Sequence, residues 1–408
     1  MQSSDGAKGS ISPAALGYRL PAEWEPHEAT WIGWPHNRSD WPGKFTTIPW
    51  VYAEIVRKIA PGEIVRILVN SKAHEEQAKR ILRRVGVDLS RLEFFRFPTN
   101  RGWTRDFGPI FVKRDGNHSQ PGSADPRFWG PRLVHGPKKK ARERGEQADV
   151  AIVDSGFNGW AKYPDWEKDN RVASLAARAL GCRRFVARAL LPVRAGTAHE
   201  PQAQARVPVL LVLEGGSIDG NGRGTLLTTE ECLLDPEVQV RNPGFTRQET
   251  EEALREYLGV KNVLWLGKGI AGDDTHGHVD DFCRFVGPRT VVLCRESNRS
   301  DANYRPLEEN RERLQGMRLE DGSRIEVVAL PMPAALFLNG QRLPASYANF
   351  YISNSAVLVP TFNDSNDRIA LGTLGELFQD RAVIGIHAVD LVWGLGTLHC
   401  LTHEQPAA

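Results

Sequence analysis

Apolar positions along the chain fall into two rhythms that take turns. From Trp50 to Ala60 they recur at helical spacing, and Ile64 to Val69 follows as a short continuous run of strand type. The same unit returns several times. Ala73 to Val85 reads as an amphipathic helix before the strand-like Leu92 to Phe97, and Arg247 to Leu258 ends at Gly259, a helix-stop residue, ahead of Val263 to Leu266. Pro306 to Leu314 precedes Ile325 to Leu330, and Asp367 to Phe378 precedes Ala382 to Ile386. Helix and strand alternate throughout, the pattern of an α/β fold. Leu258-Gly259-Val260 and Val85-Gly86-Val87 read as weak copies of one helix, turn, strand module. Their spacings are too irregular for a solenoid, so repetition around a centre accounts for them better.

The chain has 408 residues, enough for one large domain or two ordinary ones. Hydrophobic residues make up 41% and charged residues 25%, which excludes a wholly disordered or collagen-like chain. No apolar run approaches the roughly 18 residues of a membrane-spanning helix. Met1 to Leu20 lacks the charged start and apolar middle of a secretory leader, so the expected compartment is the cytoplasm. Net charge is +2, from 52 basic and 50 acidic residues, too balanced to imply nucleic acid as a partner. Two stretches read as solvated insertions, at about 113–147 and 195–206; the first holds the basic run Lys138-Lys139-Lys140-Ala141-Arg142, without the interleaved aromatics that stack on bases. Neither GxGxxG in a strand-to-helix context nor GxxxxGK[ST] occurs, so no nucleotide cofactor is expected. The domain expectation is a tail over 1–20 and one domain over 21–406, with a homo-oligomeric state left open.

Five cysteines, Cys182, Cys232, Cys283, Cys294 and Cys400, are odd in number and form no CxxC, which opposes a disulfide framework or a thiolate zinc site. Four segments concentrate reactive side chains at strand-like ends: Thr104 to Pro109 (TRDFGP), Leu213 to Gly216 (LEGG), Asp273 to Asp281 (DDTHGHVDD) and Gly394 to Cys400 (GLGTLHC). Loops on a rigid scaffold are where sites are built. Singly, each acid or glycine there is an ordinary turn residue. Together they place a cysteine, a histidine and three acids in question. A cysteine with a histidine points to thiolate catalysis. Three carboxylates around a thiolate would raise its pKa and blunt it, so the substrate should bring positive charge. A guanidinium does this: it is planar, always cationic, and offers a fork of N–H donors that carboxylates grip in pairs. A neutral ester or amide substrate would leave the surplus acids unexplained, and a mere cation binder would have no use for the thiol.

The ordered motifs resemble those of agmatine deiminase and the related bacterial peptidylarginine deiminases, within the guanidine-modifying superfamily. Pro21-Ala22-Glu23-Trp24-Glu25-Pro26-His27 with Trp31 and Trp34-Pro35 comes first, then Trp103-Thr104-Arg105-Asp106 and Glu214-Gly215-Gly216. His278-Val279-Asp280, Tyr347-Ala348-Asn349-Phe350-Tyr351 and His399-Cys400 follow. The resemblance implies a single-domain, five-bladed α/β propeller of approximate fivefold symmetry with the site on its axis. It implies Cys400 as nucleophile, His278 as acid and base, Asp106 and Asp280 as guanidinium clamps, and Glu214 as partner of the histidine or substrate. Trp103 becomes a wall for the substrate's alkyl chain and Asn349 a lesser site residue, with no cofactor and no metal. If His278 to Asp280 is extended, both side chains face one pocket; by the same alternation His399 points away from it, and Cys232, Cys283 and Cys294 read as small core residues.

Two positions depart from the family pattern. Arg101 stands where such deiminases usually show an acid, and Gly394-Leu395-Gly396-Thr397 replaces a Gly-Gly-Gly-Asn run. An arginine at the rim would repel the ammonium of agmatine and favour a carboxylate. The leading expectation is a deiminase converting agmatine to N-carbamoylputrescine and ammonia; the alternative acts on free or peptidyl arginine and yields citrulline.

Overall fold

The computed structural model of the chain describes residues 11–115, 149–192 and 206–408. The basic run and most of both expected insertions lie outside the described residues.

The helix and strand expectations map onto observed elements. Ile48–Ile59, Lys72–Arg84, Arg247–Leu258, Tyr304–Gly316 and Asn366–Leu377 are α-helices, and each leads into a strand: Ile64–Leu68, Leu92–Phe95, Asn262–Leu266, Glu326–Pro331 and Ala382–His387. Local chemistry sets the boundaries. Thr246 and Glu249 close a reciprocal capping box at the start of Arg247–Leu258, and Gly259 ends it in the left-handed region at φ +66°.

Among the described residues, five sheets repeat one motif in which a central strand pairs antiparallel with one neighbour and parallel with another. In chain order the first four are Ile110–Lys113 with Val150–Asp154 and Arg183–Val186; Asp219–Gly220 with Thr225–Thr229 and Asn262–Leu266; Cys283–Phe285 with Thr290–Arg295 and Glu326–Pro331; and Tyr351–Ile352 with Ala356–Thr361 and Ala382–His387. The fifth joins the two ends of the chain. Thr402–Pro406 runs antiparallel to His27–Gly33, which pairs in parallel with Ile64–Leu68, and Leu92–Phe95 adds a further parallel strand. Each parallel pair needs a crossover, and the helices above supply it, with Val172–Leu180 doing so in the first sheet. The helix, turn, strand unit visible in the sequence is this crossover. Arg188–Pro192 and Arg206–Leu210 form a separate antiparallel ribbon. Among the described residues no helix is long and apolar enough to cross a membrane.

The core is aromatic-rich near the future site, with Trp31, Trp34, Trp41, Tyr52 and Trp103 in one cluster. A second cluster gathers Tyr18, Val112, Leu226, Leu254 and Leu258. The N-terminal segment is part of this packing: Tyr18 is buried, and the Leu20 amide donates to the Leu258 carbonyl. Gly259 reports on that contact, because a Cβ there would lie 2.5 Å from the Tyr18 carbonyl oxygen, whereas at Gly244, φ +84°, it would meet nothing within 4 Å. Alanine at either position carries the left-handed penalty of about 1–2 kcal/mol. Gly259→Ala adds a backbone clash, so its thermal midpoint should fall well below that of Gly244→Ala. Equal midpoints would show that the Tyr18 segment yields freely.

Candidate active site

Five short segments, one ahead of the first strand of each sheet, converge on one buried place. Thr104–Phe107 carries Asp106 ahead of Ile110–Lys113, and Glu214 with Gly215–Ser217 stands ahead of Asp219–Gly220. His278 with Val279–Asp281 precedes Cys283–Phe285, Asn349 precedes Tyr351–Ile352, and Leu398–Leu401 carries Cys400 ahead of Thr402–Pro406. All of these side chains are at most 6% exposed.

Cys400 is held by Asn349. The Asn349 Nδ2 donates to Cys400 Sγ at 3.1 Å and to Asp281 Oδ1 at 2.9 Å, while its Oδ1 accepts from the Thr397 hydroxyl at 2.8 Å and the His399 amide at 3.1 Å. Asn349 therefore holds the loop that carries Cys400. Asp281, which the sequence reading passed over, is a fourth acid beside the sulfur. Burial and the neighbouring Asp280 and Asp273 charges push its carboxyl well above the usual range. The Cys400 Sγ lies 3.9 Å from Asp280 Oδ2. Burial first, then Asp280, Asp281 and Asp106, push the Cys400 thiol well above its ordinary value.

His278 faces carboxylates on both ring edges. Its Nδ1 lies 3.7 Å from Asp106 Oδ1 and 3.9 Å from Asp280 Oδ1, and its Nε2 lies 3.6 Å from Glu214 Oε2. These are ion-pair separations, too long for direct hydrogen bonds. Both ring nitrogens, Glu214 Oε2 and Asp280 Oδ1 are buried without a hydrogen-bond partner. Burial opposes protonation of His278, but Asp106 outweighs it together with Cys232 and Glu214, and holds the imidazole well above its ordinary pKa. For Glu214 burial acts upward, yet Arg241 and His278 bring it down to about 2. The Arg241 Nε donates to Glu214 Oε1 at 3.1 Å. Asp106 accepts from the Gly216 amide at 3.0 Å and from Trp160 Nε1 at 2.9 Å, and burial raises its pKa.

Two local readings of the sequence are corrected here. Val279–Asp281 is a 3-10 turn capped by His278, not an extended run, so strand alternation is not what brings His278 and Asp280 together. Leu398–Leu401 is helical, where neighbours diverge by roughly 100° rather than 180°, and His399 also turns inward. Its Nδ1 meets Asp280 Oδ2 at 2.6 Å and its Nε2 meets Glu23 Oε2 at 2.8 Å. Cys232 is a buried core residue as expected, and its sulfur, a Glu214 oxygen and a His278 nitrogen lie within 4.8 Å of one another, as do ligand atoms of Asp280, Asp281 and Cys400. Both sets have atoms that could hold an ion, though the Arg241 cation beside Glu214 opposes one in the first.

Trp103 packs its ring against Trp41, centroids 5.2 Å apart, and lies beside the loop that carries Cys400. A Cβ at Gly396 would sit 2.9 Å from Trp103 and 3.2 Å from Cys400 Sγ, and at Gly394 2.5 Å from Trp41 Nε1. The two glycines that this run keeps are thus demanded by contact. Leu395 occupies a left-handed conformation, φ +68°, that glycine takes more easily. Arg101 does not stand as a free rim cation. It pairs with Asp40 at 2.5 Å and Asp165 at 3.0 Å, with its guanidinium 4.3 Å from the Tyr163 ring centroid. Burial lifts Asp40 to about 7 against the pull of Arg101. The repulsion expected for an ammonium is offset by these acids.

A buried thiol ringed by carboxylates and two histidines on a mixed α/β scaffold fits an enzyme class that hydrolyses the carbon–nitrogen bond of a guanidino group. The chain belongs to the Porphyromonas-type peptidyl-arginine deiminase family, whose model matches residues 19–406. It is 30% identical over 419 residues to the agmatine deiminase of Pseudomonas aeruginosa (strain LESB58), covering 97% of each chain. Its structure is similar to that of the agmatine deiminase of Enterococcus faecalis (TM-score 0.77, 27% identity, 98% of each chain) and to that of the agmatine deiminase of C. jejuni (TM-score 0.70, 27% identity, 95% of each chain).

Gly216 lies at the centre of the cluster. A Cβ there would come 2.6 Å from His278 Nδ1, 2.8 Å from Asp106 Oδ1 and 3.0 Å from Asp280 Oδ2. Misplacing such groups by about 1 Å costs on the order of 100-fold in rate. Gly216→Ala should lose at least that much turnover with an unchanged circular dichroism spectrum. The raised thiol pKa gives a second test. Thiolate is the reactive form, so neutral iodoacetamide should label Cys400 slowly at pH 7 and faster only well above the ordinary thiol range. A haloacetamidine, which carries its own cation, should label it rapidly at pH 7; equal rates for both reagents would contradict the electrostatic account.

Proposed function

We propose that the protein is a deiminase that hydrolyses agmatine to N-carbamoylputrescine and ammonia. The observation that carries this reading is that, among the described residues, Asp106 and Asp280 flank the thiol and histidine without an ion pair to any arginine, whereas Glu214 is already taken by Arg241. Two carboxylates, both beside His278, are thereby left for a guanidinium. The family and the names of the relatives support a hydrolase acting on the carbon–nitrogen bond of a guanidino group, and agmatine as its substrate.

In this reading the entering cation stabilises the Cys400 thiolate, and the thiol proton is released as substrate binds. The sulfur attacks the guanidinium carbon. His278, protonated through Asp106 and Glu214, gives its proton to the terminal nitrogen as that C–N bond breaks, and ammonia leaves. A covalent thiouronium remains on Cys400. Neutral His278 then takes one proton from water, whose oxygen adds to the same carbon; the C–S bond breaks as the remaining hydroxyl proton passes to the leaving sulfur, the thiol is restored and the ureido product departs. Fixing these groups in advance replaces solvent reorganisation during the reaction. Trp103 would line the path of the methylene chain. The acids around Arg101 support acceptance of a distal ammonium. We also infer that the five sheets stand as blades about a common axis; the convergence of their five equivalent loops supports that arrangement.

A panel of agmatine, L-arginine, an N-acylated arginine and a peptide with internal arginine, scored for ureido product and ammonia, tests the assignment. Turnover of agmatine with at least tenfold preference is expected. Silence toward all four with folded protein would remove the deiminase reading, and preference for an arginine substrate would move it to citrulline formation. Cys400→Ser should abolish turnover and retain agmatine binding, and mass spectrometry of the wild type should trap an adduct on Cys400. Loss of activity in Cys283→Ala but not in Cys400→Ser would identify the wrong thiol.

A further inference from the structure

His399 is the residue before the nucleophile, and both its ring nitrogens are engaged by carboxylates in a place that is 1% exposed. Separations of 2.6 Å to Asp280 Oδ2 and 2.8 Å to Glu23 Oε2 each require a hydrogen in the gap. Burial first, then the Arg105 and Arg284 charges, hold the His399 imidazole well below its ordinary pKa. The same ring fixes the orientation of the Asp280 carboxylate, leaving Oδ1, which has no hydrogen-bond partner, on the side of His278.

The Glu23 end is anchored in buried ion pairs. Glu23 Oε2 also accepts from Arg284 at 2.6 Å and lies 3.7 Å from Arg105, and Glu23 Oε1 accepts from the Ile352 amide at 2.7 Å. Arg284 donates on to Asp219, and Arg105 pairs with Glu404 at 2.7 Å. Arg105 Nε also donates to the His399 carbonyl at 3.3 Å. None of these groups is needed to touch the reacting atoms.

Building on the deiminase reading above, we propose that His399 is a positioning residue for Asp280: it donates from Nδ1 to aim that carboxylate at the substrate cation, and it ties the aim to the Glu23 anchor. The short helix that delivers the sulfur thus also sets the clamp beside it. His399 and Cys400 share one rigid turn, so the separation of sulfur and clamp is set by that turn and one short hydrogen bond from His399 to Asp280.

Asparagine places its amide nitrogen near the Nδ1 position and glutamine near Nε2, so the two substitutions separate the two bonds. His399→Asn keeps a donor to Asp280 and should stay within about tenfold of wild-type kcat/KM. His399→Gln keeps the Glu23 contact alone and should lose about 10- to 100-fold, the range for one charge-assisted hydrogen bond. Placed on Cys400→Ser, glutamine should weaken agmatine binding and asparagine should not. Equal loss in both variants, or a better glutamine enzyme, would overturn the proposal while wild-type turnover keeps the deiminase reading standing; an inactive wild type would remove both. If neither variant folds, histidine-15N spectra of Cys400→Ser decide: a downfield His399 Nδ1–H proton should shift on adding agmatine, and an unmoved resonance overturns the proposal.

Discussion

Negative charge packed around one sulfur in a dry place is the constraint on which the rest of this structure turns. Buried carboxylates are costly unless paired or hydrogen-bonded, and unpaired ones shift toward the neutral acid. Asp106, Asp280, Asp281 and Glu214 are all at most 5% exposed. The fold tolerates them by giving each a different compensation: Arg241 for Glu214, Trp160 and a backbone amide for Asp106, Asn349 for Asp281, and His399 for Asp280. In the proposed reading a substrate cation completes the set. The thiol stays protonated and quiet without it, which protects a buried cysteine from neutral electrophiles and makes charge itself the first test of specificity.

The buried arginines belong to the same logic. Arg105, Arg241 and Arg284 all lie inside the protein, and each is spent on acids other than the two clamps. Had one of them reached Asp106 or Asp280, it would have been an internal substitute for the substrate, since its guanidinium is the chemical twin of the group to be attacked. Removing one partner of such a pair leaves a buried charge uncompensated, which costs several kcal/mol. The ionic ring behind the site is therefore held by electrostatics against repacking, and it keeps the protein's own guanidinium groups away from the sulfur.

Much of this was legible in the amino-acid order, and the limits of legibility have physical causes. Crossover helices and their strands could be read because helical periodicity and the Gly259 stop signal are local properties. The acids, His278 and Cys400 could be read because they cluster at strand ends and because surplus acids demand a cation. His399 could not, since its direction was inferred from strand alternation, and a helical turn of four residues, too short to have its own periodicity, sits there instead. Asp281 was hidden beside Asp280 by the same local error. Cys232 resembles any core cysteine in sequence, and only the fold brings its sulfur to His278. The charge on Arg101 was visible, but its partners Asp40 and Asp165 lie far along the chain, and a side chain's net effect depends on what it meets.

The five converging loops give a reason for the way the site is divided. Each precedes the first strand of a sheet, and in every sheet that strand runs antiparallel to the central strand. Equivalent positions in repeated units bring their side chains to one place without any long excursion of the chain, and a rigid strand fixes each loop at its C-terminal end. A site built that way has a consequence for precision. Because no two catalytic groups other than His278 and Asp280 come from one loop, each can be aimed by its own sheet, and errors do not propagate along a shared backbone. The cost is that the relative placement of sulfur and clamp spans separate units. That is the gap His399 closes, by reaching from the loop of the last sheet to the carboxylate of another.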